Sequence, residues 1–222
     1  MVLLFSGGVL PGNGAAAAPS IVYTQGNAHV PEVALTFDDG PSPYTPQVLA
    51  VLKQYNVKAT FFLWGEHVQQ YPDYAQQELA TGMAIGNHTW THPHLTTLSN
   101  SAIVTELTNT QNTIKQTIGY TPTLFRPPYG EYNANVLAVT GQVGLPSTIL
   151  WNCAPLDWEM PPPAVIASRV LNNISNGSII LLHDGGGDRS NTVAALPIII
   201  QGLQARGLRL VTVPQLLADI NK

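Results

Sequence analysis

The chain has 222 residues, enough to bury one sizeable core and too few for two typical domains, so one domain is expected. Lys and Arg number 9 against 13 Asp and Glu, the net charge is −4, and no basic run could follow a phosphate backbone. No apolar run reaches the roughly 18 residues that a membrane-spanning helix needs. These counts predict a soluble globular domain with no nucleic-acid partner and no membrane span in the mature protein. A monomer is expected.

The first ten residues are mostly apolar, and small residues, Gly and Pro dominate the next ten. An alanine run at positions 15–18 followed by Pro19 is typical of a signal-peptide cleavage site, although no Lys or Arg precedes Lys53. We interpret residues 1–20 as a signal-like or flexible segment and residues 21–222 as the folded domain. A secreted or cell-envelope location is expected.

From residue 32 onward, short apolar runs alternate with stretches of helical character. The predicted strands cover residues 32–37, 59–63, 83–87, 123–125, 147–151, 178–182 and 208–213. The predicted helices cover residues 45–55, 72–81, 100–117, 133–143, 164–173, 192–205 and 214–220. About seven βα units with a mainly parallel sheet follow, as a (β/α) barrel or as a doubly wound open sheet.

Both architectures place active sites at the carboxyl ends of the strands. The chain is poor in charged residues, yet its Asp, His and Arg side chains recur just after predicted strands. These positions are Asp38, Asp39, His88, His92, Arg126, Asp157, His183 and Asp184.

Two adjacent carboxylates, Asp38 and Asp39, end the first predicted strand before a Gly-Pro turn. Neighbouring strand residues point to opposite faces, so the two do not suit the paired carboxylates of a glycosidase. The pattern favours different roles, in which one Asp binds a metal and the other acts as a base. The alternative is that both only cap a loop.

A histidine pair, His88 and His92, has the i, i+4 spacing that brings both imidazoles to one side if the segment forms a helical turn. Two His and one carboxylate leave coordination positions open, as in a catalytic zinc site, but the same set can hold iron(II) in an oxygenase. His94 is expected at a supporting or surface position, and His67 lies in no motif.

Three further residues follow later strands. Prolines 127 and 128 stiffen the loop that carries Arg126 and leave the Tyr129 amide available as a donor; a buried Arg beside a carboxylate keeps it ionised. Alternatively, Arg126 only covers the mouth of a barrel. Asp157 could orient His183 and support its charged form, which would make His183 a general acid.

Taken in order, these segments resemble the five motifs of the NodB-homology polysaccharide deacetylases, carbohydrate esterase family 4. The motifs correspond to residues 36–41, 88–92, 126–129, 157–158 and 179–183. The resemblance covers about residues 32–218 and implies that residues 21–222 form a deacetylase catalytic domain. It also implies a deformed (β/α) barrel with a groove at its top.

The resemblance implies a role for each motif residue. Asp39, His88 and His92 would hold one divalent ion, in the first place zinc, although cobalt, nickel, manganese or iron could replace it. Asp38 would be the catalytic base and His183 the general acid.

Other roles are implied for the neighbouring side chains. Arg126 would hold Asp38, Asp157 would tune His183, and the Tyr129 amide would help to stabilise the oxyanion. Trp158 and Leu181 would form the wall that receives the acetyl methyl group.

The implied function is hydrolysis of N-acetyl groups on an N-acetylglucosamine polysaccharide such as peptidoglycan, chitin or chito-oligosaccharide, with release of acetate. An acetylxylan O-deacetylase using the same residues and a non-catalytic carbohydrate-binding protein remain alternatives. The loop at residues 185–187 could move over bound sugar or simply connect two elements.

Overall fold

A computed structural model describes residues 17–220 of the chain. Most of the predicted signal-like segment, residues 1–16, lies outside the described residues, so that interpretation stays a prediction. None of the described helices is long and apolar enough to cross a membrane.

Eight parallel strands form one curled sheet. In chain order they are β1 (Ile21–Tyr23), β2 (Glu32–Asp38), β3 (Thr60–Leu63), β4 (Ala84–Asn87), β5 (Leu124–Phe125), β6 (Ser147–Ile149), β7 (Ile179–His183) and β8 (Arg209–Leu210). The spatial order is β1-β6-β5-β4-β3-β2-β7, and β8 pairs with the start of β2.

The sheet curls far enough for its two ends to meet. Isolated bridges join Gln25 to Ser178 and Cys153 to Ile180, so the chain beyond β1 and β6 reaches β7. The amide of Leu181 also donates to the carbonyl of Cys153 at 2.9 Å. This partial closure confirms the expected deformed (β/α) barrel and excludes a flat, doubly wound sheet.

Helices cover the outside of the sheet. They are α1 (Thr45–Gln54), α2 (Gly65–Gln70), α3 (Pro72–Ala80), α4 (Asn100–Ile118), α5 (Ala134–Gln142), α6 (Pro163–Asn172), α7 (Ser190–Ala205) and α8 (Val213–Ala218). The longest, α4, begins where the Ser99 hydroxyl accepts the Ala102 amide, and it ends at Gly119 in the left-handed conformation that glycine adopts at little cost.

The core lies on both faces of the central strands. Every residue of β2 is buried, which explains the nearly continuous apolar sequence of this strand. The largest buried cluster joins the outer face of β2, β3 and β7 to α1, α6 and α7, and includes the stacked rings of Phe37 and Phe61. A rigid, fully covered β2 fixes the position of Asp38 at its end.

Two elements are missing from the prediction. Strand β1 has only three residues at the sheet edge, too few to show an alternating pattern. Helix α2 has six residues and lacks a side-chain cap, so neither helical periodicity nor a start signal marks it.

We expect Phe61→Ala to lower the free energy of unfolding by about 3–5 kcal/mol, because the ring is fully buried and its removal leaves a cavity. Urea unfolding measures this change. The matched control is Ile198→Ala on α7, at a side chain that is 45% exposed, which should change stability by about 0.5 kcal/mol or less. A cost below about 1 kcal/mol for Phe61→Ala would contradict this account of the core.

Candidate active site and metal centre

A cavity of about 470 Å³ lies at the carboxyl ends of the strands. Eight of the ten predicted site residues line it, and Arg126 and Asp157 are buried behind its wall. The lining residues are Asp38, Asp39, His88, His92, Pro127, Tyr129, Trp151, Trp158, Leu181 and His183. One cavity therefore collects side chains from residues 38 to 183 of the sequence.

Asp38 and Asp39 both face this cavity, so the expectation that they point to opposite faces is wrong. Strand β2 ends at Asp38, and Asp39 takes a left-handed conformation with φ of 68°. The reversal of the chain at Asp39 breaks the strand alternation. Two neighbouring carboxylates can therefore serve one site.

The segment from His88 to His92 is a loop and not the helical turn that the i, i+4 spacing would need. Thr89 and His92 have positive φ values of 67° and 58°, which bend the chain twice. Glu106 of α4 accepts hydrogen bonds from the amides of Trp90 at 2.9 Å and Thr91 at 2.8 Å. The two imidazoles still converge, because these bends replace the helical turn.

Three potential ligand atoms lie close together in the cavity. Oδ1 of Asp39 is 3.4 Å from Nε2 of His88 and 3.4 Å from Nε2 of His92, and all three atoms lie within 4.8 Å of one another. This oxygen is buried and, among the described residues, has no hydrogen-bond partner. A cation between the three atoms would satisfy it, so the donor set fits a divalent ion.

The tautomer of neutral His88 and the pKa of His92 both suit metal ligands. Nδ1 of His88 lies 2.7 Å from the Arg126 carbonyl, which can only accept, so Nδ1 carries the proton and Nε2 is bare in the neutral ring. Burial and the charge of His88 lower the pKa of His92 to about 4. His92 is therefore neutral at pH 7.

The charges of the cluster shift the pKa values of His88 and Asp39 in opposite directions, and in each case burial acts against the shift. Burial lowers the pKa of His88, but Asp38 and Asp39 outweigh it and raise that pKa above its ordinary value. Burial would raise the pKa of Asp39, but the close approach of His88 and the charges of the surrounding histidines hold it well below its ordinary value. The Asp39 carboxylate is thus ionised at any physiological pH.

Arg126 is the largest fully buried side chain among the described residues, and it joins the site to the barrel. Its guanidinium donates to Oδ1 of Asp38 at 2.7 Å and to the Thr36 hydroxyl at 2.7 Å. Its Nε and Nη2 donate to the carbonyls of Ile149 at 3.1 Å and Leu150 at 3.2 Å. The buried charge is therefore paired with Asp38, and four of its five N–H groups donate hydrogen bonds.

His183 and Asp157 form a second ionic pair. Nδ1 of His183 lies 2.8 Å from one carboxylate oxygen of Asp157, whose other oxygen accepts the His183 amide and the Thr192 hydroxyl, both at 2.9 Å. Burial alone would lower the pKa of His183, but Asp157 raises it above the ordinary value. Nε2 has no part in this pair and is available to a molecule in the cavity, which the His183 ring lines.

Aromatic side chains form the outer walls. Trp158 is 41% exposed and meets the His183 ring edge-on, whereas Tyr129 is 55% exposed and contacts the His92 ring. His94 stacks on Tyr129 and pairs with Glu131 at the surface, which agrees with the position expected for it.

Several residues whose side chains support the site lie outside the five sequence motifs. Glu106 and Thr192 lie within ordinary helices, and Trp151 lines the cavity after β6. His67 contacts the Asp39 carbonyl from α2. Only a three-dimensional arrangement identifies these residues, since helical spacing assigns them no function.

A (β/α) barrel whose strand ends gather two His, two Asp and a His–Asp pair has the architecture of a metal-assisted hydrolase. A family model described as polysaccharide deacetylase matches residues 25–148. The chain belongs to the polysaccharide deacetylase family. The predicted family, fold and enzyme class are confirmed.

Individual relatives cover most of the chain. A peptidoglycan-N-acetylglucosamine deacetylase of Bacillus cereus is 43% identical over 188 residues, or 83% of this chain and 87% of that protein. A chitooligosaccharide deacetylase of Azorhizobium caulinodans is 36% identical over 195 residues, or 82% and 92%. A crystal structure of a peptidoglycan N-acetylglucosamine deacetylase bound to an N-oxidanyl-benzamide has a TM-score of 0.86 and 37% identity, and covers 89% and 92% of the two chains.

We expect Asp39→Ala to weaken zinc binding by about 100-fold or more, because it removes a candidate ligand rather than a supporting contact. Isothermal titration calorimetry with Zn²⁺ measures the affinity. His94→Ala is the matched control, since His94 lies at the surface beside Tyr129 and outside the ligand set, and should bind as the wild type does. Equal affinities of Asp39→Ala and the wild type would disprove the metal site.

Proposed function

We propose that the chain removes N-acetyl groups from an N-acetylglucosamine polysaccharide and releases acetate. The observation that carries the proposal is the pairing of Asp38 with His183, which are register partners on the adjacent strands β2 and β7 beside the candidate metal ligands. A base and an acid on one cavity suit hydrolysis of an amide. The similarity to a peptidoglycan and a chito-oligosaccharide deacetylase supports this substrate class.

Asp39, His88 and His92 would hold the divalent ion, and zinc is the first choice for two imidazoles and a carboxylate. Cobalt, nickel, manganese and iron are the alternatives. When bound, such an ion supplies Lewis-acid chemistry that polarises oxygen and lowers the pKa of water.

Asp38 is the proposed base. Its Oδ2 lies 3.8 Å from Nε2 of His88, beside the ligand set, while Oδ1 is held by Arg126. One oxygen is thus fixed and the other is free to accept a proton from the attacking water. The same bond to Arg126 keeps Asp38 from rotating into the ligand set.

His183 is the proposed general acid. Asp157 holds its Nδ1, so Nε2 can donate a proton to the departing amine. The backbone amide of Tyr129 would stabilise the oxyanion, and Trp158 with Leu181 would receive the acetyl methyl group on the apolar side of the cavity.

Three other functions could use the same residues. An acetylxylan O-deacetylase would use the same base, acid and ion, because an ester and an amide are hydrolysed alike. A carbohydrate-binding protein without turnover, or an oxygenase using the same ligand set, has no need for both Asp38 and His183.

The location proposed for the chain is the cell envelope or the exterior, where a polysaccharide such as peptidoglycan is found.

Acetate release distinguishes these functions. The substrates are chitopentaose, peptidoglycan and acetylxylan, each tested with and without a chelator. Release from the first two that the chelator abolishes supports the proposal. Release from acetylxylan alone favours the O-deacetylase, and binding without release favours the non-catalytic protein.

We expect Asp38→Asn to lower kcat by about 10²- to 10⁴-fold, because the amide cannot accept the proton from water. Zinc affinity should stay close to that of the wild type, since Asp38 is not a proposed ligand. Acetate release and calorimetry measure the two effects. Full activity in Asp38→Asn would refute the role of this residue as the base.

The pH dependence should report His183. The acid form is required, and the pKa of His183 lies above its ordinary value, so kcat/KM should fall as the pH rises through that pKa. In Asp157→Asn the carboxylate charge is lost and burial then lowers the pKa of His183, so the basic limb should move to lower pH. Asp73→Asn, at an exposed position of α3, is the control and should leave the profile in place. An unmoved or raised limb in Asp157→Asn would contradict the assignment.

A further inference from the structure

The metal ligand Asp39 has an unusual backbone. Its φ of 68° lies in the left-handed region, which residues other than glycine seldom adopt unless their surroundings hold them there. The position of Oδ1 depends on this conformation, because the turn at Asp39 directs the side chain into the cavity. Contacts that hold the Asp39 backbone therefore also hold Oδ1 in position beside the other candidate ligands.

His67 makes such a contact. Its Nδ1 lies 2.7 Å from the Asp39 carbonyl. Since a carbonyl only accepts, Nδ1 must carry the proton and donate. The ring also packs on Trp64 at a centroid distance of 4.3 Å, and Trp64 in turn stacks on the ligand His92 at 5.2 Å.

Helix α2, which carries His67, is itself attached to both ligand loops. The Trp64 amide donates to the Gly40 carbonyl at 2.9 Å, next to Asp39, and the Gly65 amide donates to the Thr89 carbonyl at 2.9 Å, next to His88. The short helix thus connects the loop of the ligand Asp with the loop of the ligand histidines. These backbone hydrogen bonds to the two loops fix the position of the helix and therefore of His67.

The loop at residues 185–187 packs against Asp39 from another side and restricts its position. A Cβ at Gly185 would lie 2.0 Å from the Asp39 carbonyl oxygen, and one at Gly186 would lie 2.5 Å from Oδ2 of Asp39. Arg189, which is buried, donates to the carbonyls of Gly185 at 2.7 Å and Gly186 at 3.0 Å. This loop is therefore packed tightly against Asp39. Among residues 17–220, His67 is the one side chain that hydrogen-bonds to the Asp39 carbonyl.

We propose that His67 is a positioning residue of the metal centre. Its N–H fixes the Asp39 carbonyl and thereby keeps Oδ1 of Asp39 directed at His88 and His92. The proposal rests on the proposed ligand set and adds a residue outside the five motifs. Loss of this donor should reduce metal affinity by about 10- to 100-fold, as for other outer contacts to metal ligands.

Two substitutions separate the hydrogen bond from the packing of the ring. His67→Phe keeps an aromatic ring against Trp64 but has no donor, whereas His67→Asn can place an amide N–H near the position of Nδ1. Competition with a chromophoric chelator measures Zn²⁺ affinity, and the absorption spectrum of the Co²⁺ form reports the ligand geometry. His29→Asn, at an exposed histidine, is the control.

The expected result is an affinity about 10- to 100-fold lower in His67→Phe, near wild-type affinity in His67→Asn, and no change in His29→Asn. An affinity of His67→Phe within about threefold of the wild type would overturn the proposal. Asp39→Ala, measured in parallel, tests the ligand set itself: unchanged binding there refutes the metal site regardless of His67.

A measurement on the unmodified protein covers the case in which His67→Phe does not fold. Nitrogen-15 spectra of histidine side chains identify the protonated ring nitrogen of each residue. His67 should be protonated at Nδ1 in the neutral ring. Protonation at Nε2 instead would contradict the proposed hydrogen bond.

Discussion

The ion pair between Arg126 and Asp38 is the contact on which the site depends. A guanidinium that is 0% exposed is stable only when its charge is paired and hydrogen-bonded, and here Asp38, Thr36 and two carbonyls at the end of β6 accept its hydrogen bonds. The carbonyl of the same residue accepts Nδ1 of His88. One buried residue thus fixes the proposed base through its side chain and a proposed metal ligand through its backbone.

The parallel register brings the remaining groups to this pair. Asp38 is opposite His183 on β7, and Asn87 is opposite Phe125, so His88 and Arg126 follow their strands at the same level. Asp157 reaches His183 from a short turn that begins after β6. Since backbone hydrogen bonds set this alignment, the site is largely preformed, as electrostatic catalysis requires.

The sequence predicts most of the fold, because buried strands and long capped helices leave strong patterns. Seven of the eight strands and the boundaries of α4 follow from such patterns, whereas β1 and α2 are too short to produce one. The site residues that end strands are predicted for the same reason. The orientation of Asp39 and the path of His88 to His92 are not, because single left-handed residues at Asp39, Thr89 and His92 decide them. The role proposed for His67 cannot be predicted from the sequence either, because it depends on a contact with the Asp39 backbone 28 residues away.

The most direct test of the account is anomalous diffraction from crystals grown with Zn²⁺, recorded on both sides of the zinc absorption edge. We expect one strong peak in the cavity, with Oδ1 of Asp39 and Nε2 of His88 and His92 at about 2.0–2.2 Å. Asp38 should stay on Arg126 and outside the coordination shell. A peak coordinated by Asp38 or His183, or none within reach of Asp39, would contradict it.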